Sequence, residues 1–433
     1  MWQQFIEFWS FRDPNVNWVL SGCVLLGASG GIIGCFAFLR KRSLVGDALA
    51  HAALPGVTTA FLLTESRSPL IILGGAMISC ALGFLAIEYL TKNTKIKPDS
   101  ALAIVLSLFF ALGIFQLTKI QKLPLASQAG LDKLLFGQAA SLVRGDVILL
   151  GAIAISNILV ISLLFRKLKL TTFDRHFARS IGVSLIAYDF ITALLLVLSI
   201  VIGLQLVGVV LMAAVLVTPA AASRYWTDDL RTMVIISGLI GAVSAIVGVN
   251  VSYLAPRMPT GPWMIVSVSL IFLISVLFAP RRGVIFRIVR QQQVRSKVHD
   301  ENVLRTFYKE GELLGNSFTV LEPSTVLKFR DMSEQQLQKS FRRLMRAGLL
   351  VSEKSGYRLT PAGFERGRHL TRLHRLWELY LTERIDIAPD HVHADAEEVE
   401  HILTAELAAR LDEELRAPVI DPHGKTIPVV TKE

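Results

Sequence analysis

Cysteine is scarce in this sequence, and a nucleotide-binding loop is absent. The three cysteines, Cys23, Cys35 and Cys80, fall in apolar segments and do not have the spacing of paired metal ligands. We therefore predict that they are small core residues and form neither disulfides nor a metal site. The sequence also contains no Gly-x-x-x-x-Gly-Lys-Ser/Thr phosphate loop and no nucleophile constellation. We expect a chain that binds no nucleotide and is not an enzyme on its own.

Charge is sparse over the first two thirds of the chain. Hydrophobic residues make up 52% of the sequence, and the mean hydropathy is +0.51, which is high for a soluble globular chain. From about residue 290 the sequence is instead rich in Glu, Arg, His and Lys and has no long apolar run. We predict a membrane domain at 1–290, followed by polar domains at 297–365 and 366–433.

Nine apolar runs approach the length that crosses a bilayer as a helix. They lie at 18–39, 44–63, 70–90, 101–117, 142–165, 187–203, 206–223, 233–254 and 263–279. Small residues at close spacing, as at 27–31 and 203–208, favour close helix packing in lipid. The short runs at 44–63 and 203–223 have the alternative of being re-entrant or broken helices. The sequence predicts an all-α polytopic membrane domain with eight or nine transmembrane helices.

Basic residues mark every second connection between these runs. They follow the first run at 40–42, the third at 92–97 and the last at 281–290. Because Lys and Arg are enriched in cytosolic loops, we place these connections in the cytosol. Nine spans would put the N-terminus outside, and eight would put it inside. With either number of spans, the polar domains that follow Pro280 are expected in the cytosol.

Asp47 and His51 stand four residues apart, just inside the run at 44–63. At 3.6 residues per turn they share one helix face. Ionisable groups within a membrane span are costly and tend to mark a pathway for ions, and carboxylate with imidazole suits divalent transition metals. The structural alternatives are that Asp47 caps the helix and that His51 satisfies a backbone carbonyl. We favour a metal path, with Pro55 breaking or kinking the helix one turn further on.

Three motifs follow one another along the membrane domain. The first is Ser-Leu-Val-Gly-Asp-Ala-Leu-Ala-His-Ala-Ala-Leu-Pro-Gly at 43–56. The second is Thr-Phe-Asp at 172–174 with Ala178 and Gly182, and the third is Val-Gly-Val-Val-Leu-Met at 207–212 with Thr-Pro-Ala-Ala at 218–221. Together they resemble the ABC-type metal permeases of the zinc, manganese and iron uptake family. The resemblance covers about residues 15–285.

This resemblance implies partners as well as site residues. It implies a permease that pairs with a second copy or a sister permease and works with a cytosolic ATPase and an extracytoplasmic metal-binding protein. It also implies that Asp47 and His51 coordinate the ion and that the ATPase engages the segment marked by Asp174, Ala178 and Gly182. Without the resemblance, 166–182 is interpreted as an ordinary loop anchored by positive charges.

The pattern after about residue 296 is typical of a winged helix-turn-helix. The stretches 324–329 and 333–347 predict two short helices, and 349–360 predicts two strands around Gly356 before a helix that follows Pro361. The second short helix carries side chains that could contact DNA, namely Gln335, Gln336, Lys339, Arg342 and Arg343. Winged helices also bind proteins, so the fold alone does not establish a nucleic-acid partner.

Residues of metal-ligand type occur in two clusters near the C-terminus, each with helical spacing. They are His374, Glu378, His393, Glu397, Glu400 and His401. A single such pair on a soluble helix is usually solvated, but two clusters favour a metal site. The region 297–428 resembles the iron- and manganese-dependent repressors, through 373–378, 391–393, 397–401 and 421–428.

This second resemblance implies two neighbouring metal sites. Glu397, Glu400 and His401 fall at the main regulatory site, and His374, Glu378 and His393 fall at the other. Glu397 stands where iron-type members carry Cys, and this harder ligand favours manganese. Asp300 and Glu301 are the candidates for the N-terminal ligand.

The leading interpretation is the membrane subunit of an ATP-driven divalent-metal importer in the bacterial inner membrane, with a cytosolic metal-sensing domain. Manganese is favoured over zinc and iron as the substrate, and the metal is also expected as a regulator. Membrane lipid and, through the C-terminal domain, DNA are further expected partners. The alternatives are a membrane-tethered, metal-dependent DNA-binding regulator and a carrier driven by an ion gradient.

Overall fold

The chain divides into two compact units, Met1–Arg287 and Ile288–Glu433. The computed structural model describes residues 2–40, 43–66, 68–122, 137, 139, 142–255, 258–329, 332–385, 387, 405–416 and 418–428. The domain limits expected at 290, 297 and 365 fall within helices of this structure, so that division stays a prediction.

The first unit consists of helices and contains no strand among its described residues. Its helices are α1 (Trp2–Trp9), α2 (Pro14–Leu39), α3 (Ser43–Thr64), α4 (Pro69–Asn93), α5 (Pro98–Gln121), α6 (Arg144–Phe173), α7 (Arg175–Ser180), α8 (Leu185–Leu206), α9 (Val209–Trp226), α10 (Leu230–Leu254) and α11 (Thr260–Phe278). Of the described helices, α2, α4, α5, α6, α8, α9, α10 and α11 are long and apolar enough to cross a membrane. The predicted all-helical membrane domain is confirmed, with eight such helices and with α3 outside that set.

Glycines bring α2 against α10 and α9 at backbone contact. A Cβ atom on Gly241 of α10 would lie 1.9 Å from the carbonyl oxygen of Gly27, and one on Gly34 would lie 1.8 Å from that of Leu216. Lipid tails are as apolar as leucine, so helices in a bilayer associate through close packing. The small residues of α2 therefore let its neighbours approach closely enough to hold the membrane unit together.

We expect Gly241→Val to destabilise the membrane unit, because no rotamer can move a Cβ away from the Gly27 carbonyl. Overpacking of this kind costs about 1–3 kcal/mol. The matched control is Gly74→Val in α4, where a Cβ would meet no atom within 4 Å. Thermal unfolding of the detergent-solubilised protein should show a lower midpoint for the first variant and an unchanged midpoint for the second. Equal midpoints would contradict the packing account.

The second unit combines helices with one small sheet. The helix α12 (Val284–Leu313) enters it from the first unit and is followed by α13 (Pro323–Phe329), α14 (Glu334–Arg346), β1 (Leu350–Glu353), β2 (Gly356–Leu359), α15 (Pro361–Arg384) and α16 (Ala405–Glu414). The two strands are antiparallel, with Leu350 opposite Leu359. This order of two short helices, a hairpin and a helix confirms the predicted winged helix-turn-helix.

The sequence of α14 explains why the helix begins where it does and packs on one side. The Ser333 hydroxyl accepts a hydrogen bond from the Gln336 backbone N–H, and the Gln336 side chain accepts one from the Ser333 N–H. Leu337, Phe341 and Leu344 follow at helical spacing and are buried. The Phe341 ring stacks on Tyr357 of β2 with centroids 4.1 Å apart, so the wing and the helix share one core.

Candidate metal path and coupling contacts

The structure brings the Asp47 and His51 side chains together on α3. The Nε2 atom of His51 lies 3.6 Å from Oδ1 of Asp47, and the two side chains are 14% and 33% exposed, respectively. The His51 ring meets the edge of Phe110 from α5 at a centroid distance of 4.8 Å. Its Nδ1 atom is buried and has no hydrogen-bond partner among the described residues. The expected alternative, in which His51 satisfies a backbone carbonyl, is not the arrangement described.

This geometry suits a divalent cation as a transported substrate. Two donors about 2.1 Å from one ion lie roughly 3–4 Å apart, and the observed 3.6 Å separation falls in that range. A buried ring nitrogen without a partner is also unusual, because buried polar atoms are generally satisfied. The unpartnered nitrogen is Nδ1, on the side of the ring away from Asp47, so the ligand role of the pair rests on the Nε2–Oδ1 separation.

Pro55 contributes a backbone acceptor at the same place. It lies inside α3 and has no N–H, so the carbonyl oxygen of His51, four residues earlier, loses its helical donor. The next residue, Gly56, packs so closely on α4 that a Cβ would lie 2.1 Å from the carbonyl oxygen of Gly75. The helix therefore continues through the proline while one carbonyl beside the candidate ligands is left without its helical bond.

Asp174, Ala178 and Gly182 form one local structure around α7. The Asp174 carboxylate accepts a hydrogen bond of 2.8 Å from the Phe177 N–H and so caps the helix. Ala178 is fully buried. Gly182 ends the turn with φ +80°, a conformation that favours glycine. These three residues shape the segment and position its exposed side chains.

Three apolar side chains are exposed around α7 beside polar ones such as Arg175 and Arg179, and sequence reasoning missed them. Phe173, Phe177 and Ile181 are all exposed. All three lie beyond the end of the apolar run in α6. Exposed apolar side chains that cluster in this way commonly mark a protein-interaction surface. The alternative interpretation of 166–182 as an ordinary loop does not hold, because α6 continues as a helix to Phe173 and α7 follows it.

An ion network joins α7 to the C-terminal end of α2. Asp189 of α8 accepts a hydrogen bond of 2.9 Å from Arg40 and bonds of 2.8 and 3.4 Å from Arg175 of α7. Arg40 also donates to the hydroxyls of Thr171 and Thr172 at the end of α6. The Arg40 side chain is only 8% exposed, so its charge depends on these acceptors. Arg40 follows α2 directly, three residues before α3 begins.

The second predicted metal cluster is only partly within the described residues. His374 and Glu378 lie on α15 and are buried, with Nε2 of His374 3.0 Å from Oε1 of Glu378. His393, Glu397, Glu400 and His401 lie outside the described residues. Within the described ranges, no group of three or more His, Cys, Asp or Glu side chains could hold a metal ion.

A buried arginine determines which ring nitrogen of His374 carries the proton in this arrangement. Arg305 of α12 lies 2.9 Å from Nδ1 of His374 and is fully buried. A guanidinium only donates, so Nδ1 must accept, and the ring proton falls on Nε2, facing Glu378. A metal-binding imidazole instead needs a lone pair on the ligating nitrogen and usually donates from the other one. In the described arrangement the His374–Glu378 pair is therefore hydrogen-bonded and does not fit a bound ion.

Arginines also hold the two candidates for the N-terminal ligand. Asp300 accepts two bonds of 2.8 Å from Arg343 of α14, and Glu301 accepts one of 2.8 Å from Arg366 of α15. The hydrogen bonds from Arg343 to Asp300 raise the pKa of this arginine. Arg343, one of the five predicted DNA contacts, is therefore paired with Asp300.

The other predicted DNA contacts lie at the surface of α14. Gln336 is exposed but engaged in the helix cap. The remaining three side chains, Gln335, Lys339 and Arg342, are exposed. The described helix therefore presents fewer contacts for a nucleic acid than its sequence suggests.

Comparison with known proteins assigns the membrane unit to a family of transporters. Residues 12–279 match the model of the ABC 3 transport family, and residues 360–429 match that of the iron dependent repressor, metal binding and dimerisation domain. The first match covers more than half of the chain. The chain therefore belongs to the ABC 3 transport family and carries a repressor-like domain after its membrane unit.

Several relatives are similar over most of their length. The manganese transport system membrane protein MntC of Bacillus subtilis is 41% identical over 386 residues, which cover 89% of this chain and 88% of the relative. The zinc transport system membrane protein TroC of Treponema pallidum is 41% identical over 284 residues, 66% of this chain and 95% of the relative. The solved structure of PsaBC from Streptococcus pneumoniae in complex with Fab matches with a TM-score of 0.60 and 29% identity, covering 67% of this chain and 100% of that one.

Proposed function

We propose that this chain is the membrane subunit of an ATP-driven importer of a divalent metal ion, with manganese favoured over zinc and iron. The observation that carries the proposal is the Asp47–His51 pair, whose Nε2 and Oδ1 donor atoms lie 3.6 Å apart on one helix. Membership of the ABC 3 transport family and the names of the manganese and zinc relatives support it. Energy comes from a separate ATPase subunit, because the sequence has no phosphate loop of its own.

The contacts of the first unit support a cytosolic position for both α7 and the exit to the second unit. Arg175 of α7 and Arg40 share Asp189. Lys169 of α6 acts electrostatically on Asp229, which precedes α10. The neighbouring Asp228 pairs with Arg282, just beyond α11, at 2.6 Å. These basic connections thus lie on one face, and the positive-inside rule supports a cytosolic position for that face in the bacterial inner membrane.

The partners follow from this arrangement. The ATPase docks on the apolar side chains exposed around α7, and a binding protein delivers the metal from the opposite face. A second permease copy or a sister permease completes the translocation path. The tethered-regulator alternative is less well supported, because the family match covers the whole membrane unit.

The proposal is tested by uptake of radiolabelled manganese, zinc and iron into proteoliposomes that contain this chain, its ATPase and its binding protein. We expect uptake of at least one metal with ATP and none when the ATPase carries an inactivating substitution. Uptake that survives the inactive ATPase and follows an ion gradient would establish the carrier instead. No uptake of any metal from a well-folded complex would overturn the importer.

Metal feedback through the second unit is the finer part of the proposal. It is carried by Glu397, Glu400 and His401, because the described arrangement of His374 does not fit a bound ion. The repressor-like match at 360–429 supports a metal-binding role for this region. DNA binding through α14 remains a second proposed role of the same unit.

We expect Glu400→Gln with His401→Gln to remove the dependence of uptake on internal metal while leaving basal uptake within about twofold. The measurement is initial uptake into proteoliposomes preloaded with zero or excess manganese. The matched control is Glu406→Gln with Glu413→Gln on α16, where both side chains are exposed. Loss of basal uptake in a folded Glu400/His401 variant would show instead that the site belongs to transport.

A further inference from the structure

A groove of about 640 Å³ runs between α2, α6 and α10 in the membrane unit. Its walls are largely apolar, with Ile32 from α2, Ile158, Ile161 and Phe165 from α6, and Val234 from α10. On α6 the apolar lining extends from Ile158 to Phe165, which are seven residue steps or about 10 Å apart along the helix axis. The groove is thus long and apolar enough to hold part of an acyl chain.

Three cations lie together at one end of this groove. Arg166 and Lys169 stand in the last turns of α6, and Arg231 is the second residue of α10. All three are exposed, and their side chains make no hydrogen bond or ion pair within the described part of the chain. Charge is therefore concentrated at the end of the groove nearest the basic face, and apolar surface extends away from it.

The nearby carboxylates are committed elsewhere. Asp189 binds Arg40 and Arg175, and Asp228 binds Arg224 and Arg282. Asp229 lies within electrostatic range of Lys169, but it accepts hydrogen bonds of 2.9 and 3.0 Å from the backbone and hydroxyl of Thr232. These three groove cations are thus left without the direct partners that neutralise other arginines of the same face.

We propose that this groove binds an anionic phospholipid, with its phosphate on Arg166, Lys169 and Arg231 and one acyl chain along Ile161 and Phe165. Arginine matches phosphate oxygens with its planar fork, and lysine adds a mobile point charge. Basic pockets between membrane helices at the cytosolic side select anionic headgroups by this chemistry. An apolar groove that ends in cations requires an amphiphile, and the bilayer supplies one at high local concentration.

The test is native mass spectrometry of the full-length protein in detergent, titrated with phosphatidylglycerol or with zwitterionic phosphatidylcholine. We expect phosphatidylglycerol to bind at least tenfold more tightly than phosphatidylcholine. Arg166→Gln/Lys169→Gln/Arg231→Gln should lose this preference, since each cation contributes to headgroup attraction. The matched control is Lys95→Gln/Lys97→Gln/Lys167→Gln, which removes the same charge from exposed positions outside the groove and should keep the preference.

A further variant and a competition experiment distinguish a bound lipid from a bound inorganic ion. Ile235→Trp fills the apolar part from an exposed position on α10 and leaves every cation in place, so it should weaken phosphatidylglycerol binding. This single variant also tests the proposal if the triple variant fails to fold. Equal binding of phosphatidylglycerol by the triple variant and its control would overturn the proposal. So would displacement of the lipid by millimolar inorganic phosphate, which would identify a simple ion site. The assay contains no transported metal and no ATPase, so its outcome is independent of the importer function.

Discussion

Uptake of metal should fall by at least about 100-fold when Asp47 and His51 are both replaced by alanine. Loss of even an outer partner of a metal ligand costs roughly 10- to 100-fold in affinity or activity, and this variant removes two direct donors. The variant should still insert, because both substitutions remove a polar group from a largely apolar helix. Insertion and assembly are checked by the yield of complex with the ATPase.

The matched control for this prediction is the Glu88–Lys92 pair of α4. It has the same i, i+4 spacing, with an N–O distance of 2.6 Å, and lies in the same unit. Glu88→Ala/Lys92→Ala should keep uptake within about twofold of the wild type. If the Asp47/His51 variant transports metal as well as this control does, the pair is not on the path.

The second large effect is expected at the ion network. Asp189→Asn should leave ATP hydrolysis by the assembled complex within about twofold while uptake falls at least tenfold. The substitution removes the anion between Arg40 and Arg175, so movement of α7 is no longer transmitted to the C-terminal end of α2. The measured quantity is the number of metal ions transported per ATP hydrolysed. If Asp189 had only a structural role, its replacement would lower ATP hydrolysis and metal uptake together.

Asp228→Asn is the control for the network prediction. Asp228 is another aspartate that bridges arginines on this face, but its described partners are Arg224, Arg281 and Arg282, none of which lies on α7. Its replacement should leave the transported-to-hydrolysed ratio unchanged. Arg40→Lys should give an intermediate ratio, because lysine keeps the charge but cannot reach Asp189, Thr171 and Thr172 together. Equal ratios in all three variants would exclude Asp189 from coupling.

The sequence predicts the helices well because hydropathy and length suffice to identify them. The run at 18–39 lies within α2, and that at 233–254 within α10. The boundaries fail where charged helix formers continue a helix past its apolar part, as at the end of α6. The helix α1 is also not predicted, because its eight residues are too few for an apolar run of spanning length.

The candidate sites are predictable only where ligands are close in sequence. Asp47 and His51 share a helix face by spacing alone. The partners Arg40 and Asp189 lie 149 positions apart, and no local pattern connects them. The same holds for Arg305 and His374, which lie 69 positions apart, so the spacing of His374 and Glu378 indicated a metal site without revealing the buried cation beside them.

The central claim is that a transported ion passes between Asp47 and His51. The most direct measurement is anomalous X-ray diffraction from crystals of the manganese-loaded complex, held by an ATPase variant that binds but does not hydrolyse ATP. The account predicts an anomalous peak about 2–2.5 Å from the Asp47 carboxylate and the His51 ring. A fully occupied peak elsewhere on the path, with none at this pair in any trapped state, would contradict it.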